Sequence, residues 1–139
     1  MKLRIITLLL IATIYFPSCT DTKPKTEKAD VKEIYELLEP KAFQARLASE
    51  PGIILDVRTP SEQKNGMIKG AQALDIFAEN FEMQIDKLDK SKTYYVYCAA
   101  GGRSLEACEI MEKKGFTKVI DLDGGFGRWQ DEGLEVALP

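Results

Sequence analysis

Three short apolar runs punctuate the chain: GIILDV at 52–57, TYYVYC at 93–98 and KVIDLD at 118–123. Each is bounded by glycine or polar turn residues and reads as a strand buried in a sheet. EIYELL (33–38) leads into the domain as a further strand, and AQALD (71–75) is another candidate. Helical spacing fills the intervals. EPKAFQARLAS carries Pro40 in its first turn and Phe43 and Leu47 on one face. TPSEQKNG reads as a short helical turn closing at Gly66. IFAENFEMQIDKLD sets Ile76, Phe77, Phe81, Ile85 and Leu88 at helical intervals. SLEACEIMEKKG is a helix ending at Gly115, and GGFGRWQDEG is a last short one. Strands alternating with helices at this interval predict an α/β fold, a mostly parallel central sheet flanked by helices on both faces. At 139 residues and 45% hydrophobic content, the chain holds one such domain, over 31–139.

The residues before it read differently. Lys2 and Arg4 precede an apolar run from Ile5 to Phe16, interrupted only by Thr7 and Thr13. The run is short for a bilayer span and fits the core of an export signal over 1–18. It ends in Ser18 and Cys19, and so resembles a bacterial lipoprotein signal whose cysteine is lipidated. An ordinary secretory signal with an incidental cysteine is the other reading. TDTKPKTEKAD lacks any large apolar residue and reads, with Cys19, as a polar tether over 19–30. The expectation is an exported domain, lipid-anchored at a bacterial membrane and facing the periplasm or cell surface.

Charge and residue counts narrow the chemistry. Formal net charge is −3, and loss of Lys2 and Arg4 with the signal takes it to −5, which argues against a nucleic-acid partner. The chain has no histidine, so Ser-His-Asp and Cys-His catalysis and histidine metal ligation are excluded. Its three cysteines, Cys19, Cys98 and Cys108, show no C-x-x-C spacing, so no metal site is expected.

Cys98 stands where ligands bind in open α/β sheets, at the carboxyl end of a strand entering a helix. Ala99 and Ala100 follow, then Gly101 and Gly102, whose backbone freedom lets successive N–H groups turn inward around an anion. The helix start near Arg103 and Ser104 adds positive potential, and Arg103 adds a forked, permanent cation. These influences favour thiolate over thiol, which makes Cys98 a candidate nucleophile activated without imidazole. The bland reading is a free cysteine closing a buried strand. Cys108 has helical spacing to Leu105 and Met111 and lacks a cation of its own, so a packing role is expected for it.

Three ordered motifs resemble the single-domain rhodaneses, sulfurtransferases of the thiosulfate type. LDVRTPSEQKNGMIKGA (55–71) is similar to the family's first signature, through Asp56, Arg58, Glu62, Gly66, Ile68, Gly70 and Ala71. YCAAGGRS (97–104) resembles the active-site loop, and DLDGGFGRWQDEGLEV (121–136) the closing signature, with Gly124, Gly125, Trp129 and Gly133. The histidine usual after Gly66 is Met67 here. The resemblance implies that Cys98 takes the outer sulfur of an anionic donor such as thiosulfate and releases sulfite. The persulfide then rests among the loop N–H groups of Ala99 to Ser104 until cyanide or a thiol accepts the sulfur. No cofactor is expected, and the domain is expected to be a monomer. Arg103 would help hold the donor's sulfonate. Arg58 and Glu62 are expected either to line the pocket or, at their spacing, to form a local ion pair that braces the turn. The glycines of DGGFGRW are expected to allow a tight turn near the site, with Trp129 packed beneath it. Two other classes remain open: a cysteine phosphatase or arsenate reductase, whose anion loop is longer than the four residues between Cys98 and Arg103, and a non-catalytic binding module.

Overall fold

A computed structural model describes residues 34–139. The segment expected to be an export signal, Cys19 and the expected tether lie outside the described residues. Twelve elements follow in the order β1 (Tyr35–Leu38), α1 (Pro40–Ser49), β2 (Ile53–Asp56), α2 (Pro60–Gln63), β3 (Met67–Ile68), β4 (Gln72–Ala73), α3 (Phe81–Asp86), β5 (Thr93–Tyr97), α4 (Gly102–Lys113), β6 (Lys118–Leu122), α5 (Gly125–Asp131) and β7 (Val136–Ala137). The main sheet has the order β1-β6-β5-β2-β4, and its pairings are parallel. β5 therefore sits in the middle, and its carboxyl end opens between β6 and β2.

Alternation along the central strands divides the core in two. Tyr94, Val96 and Cys98 from β5 and its end, with Val119 of β6, pack against Ala107, Cys108 and Met111 of α4 and Phe81 and Ile85 of α3. Tyr95, Tyr97, Ile120 and Leu122 turn the other way, onto Phe43 of α1 and Phe126 and Trp129 of α5. The sheet is thus covered on both faces, which explains why its strands read as unbroken apolar runs. Truncating a fully buried ring such as Phe43 would cost about 3–5 kcal/mol.

Three local expectations change. The helix expected over 76–89 covers only Phe81–Asp86, and Phe77 stands 68% exposed in the preceding turn. There Asp75 accepts a hydrogen bond from the Phe77 N–H at 2.9 Å, an Asx turn that competes with helix formation. Leu105, expected on the packing face of α4, is 43% exposed, whereas Cys108 and Met111 are buried. A small antiparallel pair, β3 with β7, joins Met67 to Ala137 and Ile68 to Val136. Two-residue strands carry too little periodicity to be read from sequence.

Candidate active site

Cys98 follows β5 directly, and the chain turns through Ala99, Ala100 and Gly101 into α4. Gly101 caps that helix at φ 100°, a left-handed conformation that a side chain would strain. This turn aims the Gly101 N–H at the Cys98 Sγ, 3.1 Å away. Ser104 ties the same residue down, its hydroxyl donating to the Gly101 carbonyl at 3.0 Å. The loop's outer side is held by the start of α5. Phe126 N–H donates to the Cys98 carbonyl at 2.7 Å, and Gly127 N–H to that of Ala99 at 2.9 Å. The approach is so close that a Cβ on Gly125 would lie 2.6 Å from the Cys98 carbonyl oxygen. The tight turn expected of DGGFGRW is therefore the back wall of the cysteine loop, with Trp129 buried beneath it.

Opposing influences act on the thiol. Burial, the largest single one, pushes its pKa up, because Cys98 is only 1% exposed. Hydrogen bonds from Ser104, Ala100 and Gly101 favour the thiolate and together outweigh burial, so the pKa lies below the ordinary thiol value. Cys108 has no such compensation. Burial and then the charge of Asp121 push its thiol far up, which leaves it an inert core residue.

The two cations are partnered differently from expectation. Arg58 does not pair with Glu62. Its guanidinium is buried against Asp56, with Nε 2.9 Å from Oδ1 and Nη2 2.5 Å from Oδ2, and it also donates to the Gly66 carbonyl at 2.7 Å. Tyr97 adds its hydroxyl to Asp56 at 2.7 Å, and the Phe126 ring lies 3.9 Å from the guanidinium carbon. Arg58 thus stitches β2 to the turn before β3 and to α5. Glu62 instead reaches the cysteine loop: Arg103 donates to it through Nη1 at 2.8 Å and Nη2 at 2.6 Å. The Thr59 N–H and hydroxyl also donate to Glu62, in a capping box that opens α2. Arg103 first, with Thr59 behind it, holds the Glu62 pKa down at about 2 against the upward push of burial. The exposed Phe77 ring faces the same guanidinium at 5.7 Å.

The structure therefore brings together Cys98, the four loop residues, Arg103 and Ser104, adds Glu62, and sets Arg58, fixed on Asp56, in the wall of the adjoining cleft. A cleft of ≈ 250 Å³ opens beside them, lined by Arg58, Glu62, Asn65, Ala99, Phe126, Gly127 and Gln130. Met67 is buried in β3 and is not among these lining residues. Sequence reasoning missed the Asp56–Arg58–Tyr97 network and the role of Phe77. Both depend on contacts between distant segments, although the polar Asp56 ending an apolar strand was a visible signal.

The family described as Rhodanese-like domain matches residues 39–132. A sulfurtransferase of Allochromatium vinosum is 30% identical over 103 residues, covering 73% of this chain and 94% of its own. The chloroplastic thiosulfate sulfurtransferase 16 of Arabidopsis thaliana is 33% identical over 90 residues, covering 58% of this chain and 75% of its own. The crystal structure of a rhodanese-related protein from Thermoplasma volcanium superposes with a TM-score of 0.67 at 28% identity, over 76% of this chain and all of the other. With the family match spanning most of the described fold, this chain belongs to the rhodanese-like domain family.

Proposed function

We propose that the domain is a sulfurtransferase that moves a sulfane sulfur from an anionic donor such as thiosulfate, through a persulfide on Cys98, to a thiophilic acceptor. Sulfurtransferase-named relatives support the transfer itself, and the cysteine loop supports the mechanism. The Cys98 thiolate attacks the outer sulfur of the donor, forming a Cys98–S–S⁻ persulfide as the donor's S–S bond breaks and sulfite departs with the bonding pair. The new terminal sulfur carries the charge that the thiolate carried. An N–H ring suited to the first anion therefore suits the second. Arg103 has five N–H donors and uses two on Glu62, so its remaining donors can meet a sulfonate while the ion pair stays intact. Glu62 holds the fork in place in that arrangement and partly offsets its charge.

The observation that carries this reading is the Gly101 N–H at 3.1 Å from Cys98 Sγ, in a loop of four residues before Arg103. A terminal sulfur can project into so small a ring while its sulfonate stays at the mouth. A phosphoryl group would have to seat its whole tetrahedron inside. Mass spectrometry of the purified domain after thiosulfate is expected to find one added sulfur on Cys98, with negligible hydrolysis of an aryl phosphate. Phosphatase activity without sulfur loading would reverse the assignment.

A further inference from the structure

Asp121 of β6 is a buried acid that the chemistry above does not use. It is 1% exposed, and its Oδ2 accepts a long hydrogen bond from the Tyr35 hydroxyl at 3.3 Å. Its Oδ1 has no hydrogen-bond partner among the described residues. A buried carboxylate oxygen without a donor is strongly unfavourable. The sheet register places this group under the cysteine loop. Asp121 pairs with Val96 of β5, on the face where Val96, Cys98 and Val119 meet α4. The side of α4 buried there carries Ser104 and, one turn on, Cys108.

Ser104 connects the acid to the thiol. Its buried hydroxyl carries one proton, which in the structure points at the Gly101 carbonyl, 3.0 Å away. That carbonyl already accepts the Leu105 N–H at 3.0 Å, so it has a donor without the hydroxyl. Two other groups need the proton more. Burial raises the pKa of both Cys98 and Asp121, and on each of them the Ser104 side chain is the leading group that lowers it. Sulfur and carboxylate thus share one hydroxyl, which serves one of them at a time. With the proton on Gly101, Asp121 Oδ1 is the oxygen left bare.

We propose that Asp121 is a positioning residue for the nucleophile, setting through the Ser104 hydroxyl how strongly the Cys98 thiolate is hydrogen-bonded. When Asp121 is neutral, its own O–H donates to Ser104 Oγ, and the Ser104 O–H is free to point at the sulfur. When Asp121 ionises, the Ser104 O–H turns to the carboxylate, and the thiolate loses a donor. Only hydrogen bonds change, and the one proton that leaves is the carboxyl's, to solvent. Thiolate and carboxylate therefore oppose each other, and the acid makes Cys98 more readily ionised below its own pKa than above it.

The surroundings leave this pair to titrate by itself. Burial, the largest influence, raises the Asp121 pKa to about 6, against lowering by Ser104, Tyr35 and the Leu122 N–H, with Asp123 raising it further. Tyr35 faces it from β1 and Cys108 from α4, and burial followed by the Asp121 charge pushes both far up, so both stay neutral. Asp123, beyond the end of β6, is paired with Arg128. Cys98, at the end of β5, is the remaining group. Because the folded pKa of Asp121 lies above that of a free carboxyl, its stabilising contribution is present in acid and lost as pH rises through about 6. Asp121→Asn therefore melts no lower than wild type above that pH.

The test follows alkylation of Cys98 by iodoacetamide as a function of pH, which reads the thiolate itself and so stands apart from the choice of sulfur donor. Asp121→Asn holds a neutral amide where the neutral carboxyl sits. Its rate should match wild type in acid and rise to about three- to tenfold above wild type as pH passes about 6, until both thiols are ionised. Tyr35→Phe keeps the ring but removes the donor at 3.3 Å, so the wild-type break near pH 6 should move upward. Ser104→Ala should raise the Cys98 pKa, and adding Asp121→Asn to it should change nothing further. A ratio of Asp121→Asn to wild type that stays constant with pH overturns the proposal. So does an effect of Asp121→Asn that persists in full without the Ser104 hydroxyl, since the acid would then act on the thiol by another route. If Asp121→Asn fails to fold, an unmoved break in Tyr35→Phe refutes the proposal by itself.

Discussion

Adding one methyl group at Gly125 tests whether α5 shapes the cysteine loop. An alanine Cβ there would lie 2.6 Å from the Cys98 carbonyl oxygen and 2.7 Å from Ala100 N and Ala99 C. These are backbone atoms, which cannot swing aside as a side-chain end can. Ordinary contact begins at 3.4 Å, so the loop must retreat by 3.4 − 2.6 = 0.8 Å, or the helix must. Gly125 also has φ +61°, which costs an alanine about 1–2 kcal/mol. Overpacking adds about 1–3 kcal/mol. The sum, roughly 2–5 kcal/mol, should lower the melting midpoint by about 10 °C or more. A shift of this size in a reacting atom costs up to about 100-fold in rate. Gly133→Ala is the comparison: its φ is +69°, but its Cβ would meet nothing within 4 Å. It carries the strain without the collision and should leave sulfur loading intact. Calorimetry and the rate of thiosulfate-dependent sulfur addition to Cys98 provide the readouts. If Gly125→Ala loads sulfur at the wild-type rate and melts like Gly133→Ala, the loop does not depend on α5.

Cys98→Ser should abolish sulfur loading and Cys108→Ser should retain most of it; equal loss in both would indicate a two-cysteine mechanism. Arg103→Lys keeps the charge but not the fork, so the KM for thiosulfate should rise more than the pH dependence of thiolate formation shifts, as stopped-flow alkylation of Cys98 would detect. Glu62 has a depressed pKa, so its contribution is present above the free carboxyl value and lost as pH falls toward about 2. The stability difference between wild type and Glu62→Gln, roughly 1 kcal/mol for a partly exposed pair, should hold above about pH 5 and vanish in acid, as measured by urea unfolding. For the segment outside the described residues, wild type should partition into detergent with the membrane fraction and Cys19→Ala should not; equal solubility of the two would refute lipidation.

The parts of the fold legible in the sequence are those that local pattern determines. The runs at 52–57, 93–98 and 118–123 are apolar on both faces because helices cover both sides of the sheet, and the structure places strands in all three. Cys98 stood out because bare backbone, a cation and a helix start follow within a few residues. Partner choice was less legible. Arg58 and Glu62 have helical spacing, yet Asp56 lies closer to Arg58 along the strand end, and folding brings Arg103 from the first turn of α4 to claim Glu62. Periodicity assigned Phe77 and Leu105 to packed faces. One lies in an Asx turn, and the other borders an open cleft, so neither face is covered there. Asp121 lies inside the run at 118–123, and the pairing of β6 between β1 and β5 leaves it buried.

Without histidine, the acidity of Cys98 comes from the Ser104 side chain and from peptide N–H groups, and trans peptide geometry ties the latter to the fold. The N–H of a trans peptide points away from its own carbonyl. Phe126 and Gly127 of α5 draw the Cys98 and Ala99 carbonyls outward, so the N–H groups of the same two peptides, those of Ala99 and Ala100, are turned the other way. The Ala100 N–H is among the donors that favour the Cys98 thiolate. Gly101, held left-handed, brings the next N–H onto the sulfur as well. The hydrogen bonds that fasten the loop to α5 therefore also orient the donors that ionise the thiol. A substitution that loosens α5 should raise the Cys98 pKa even when every loop residue is unchanged, which makes the thiol's pH profile a direct measure of how tightly the helix holds the loop.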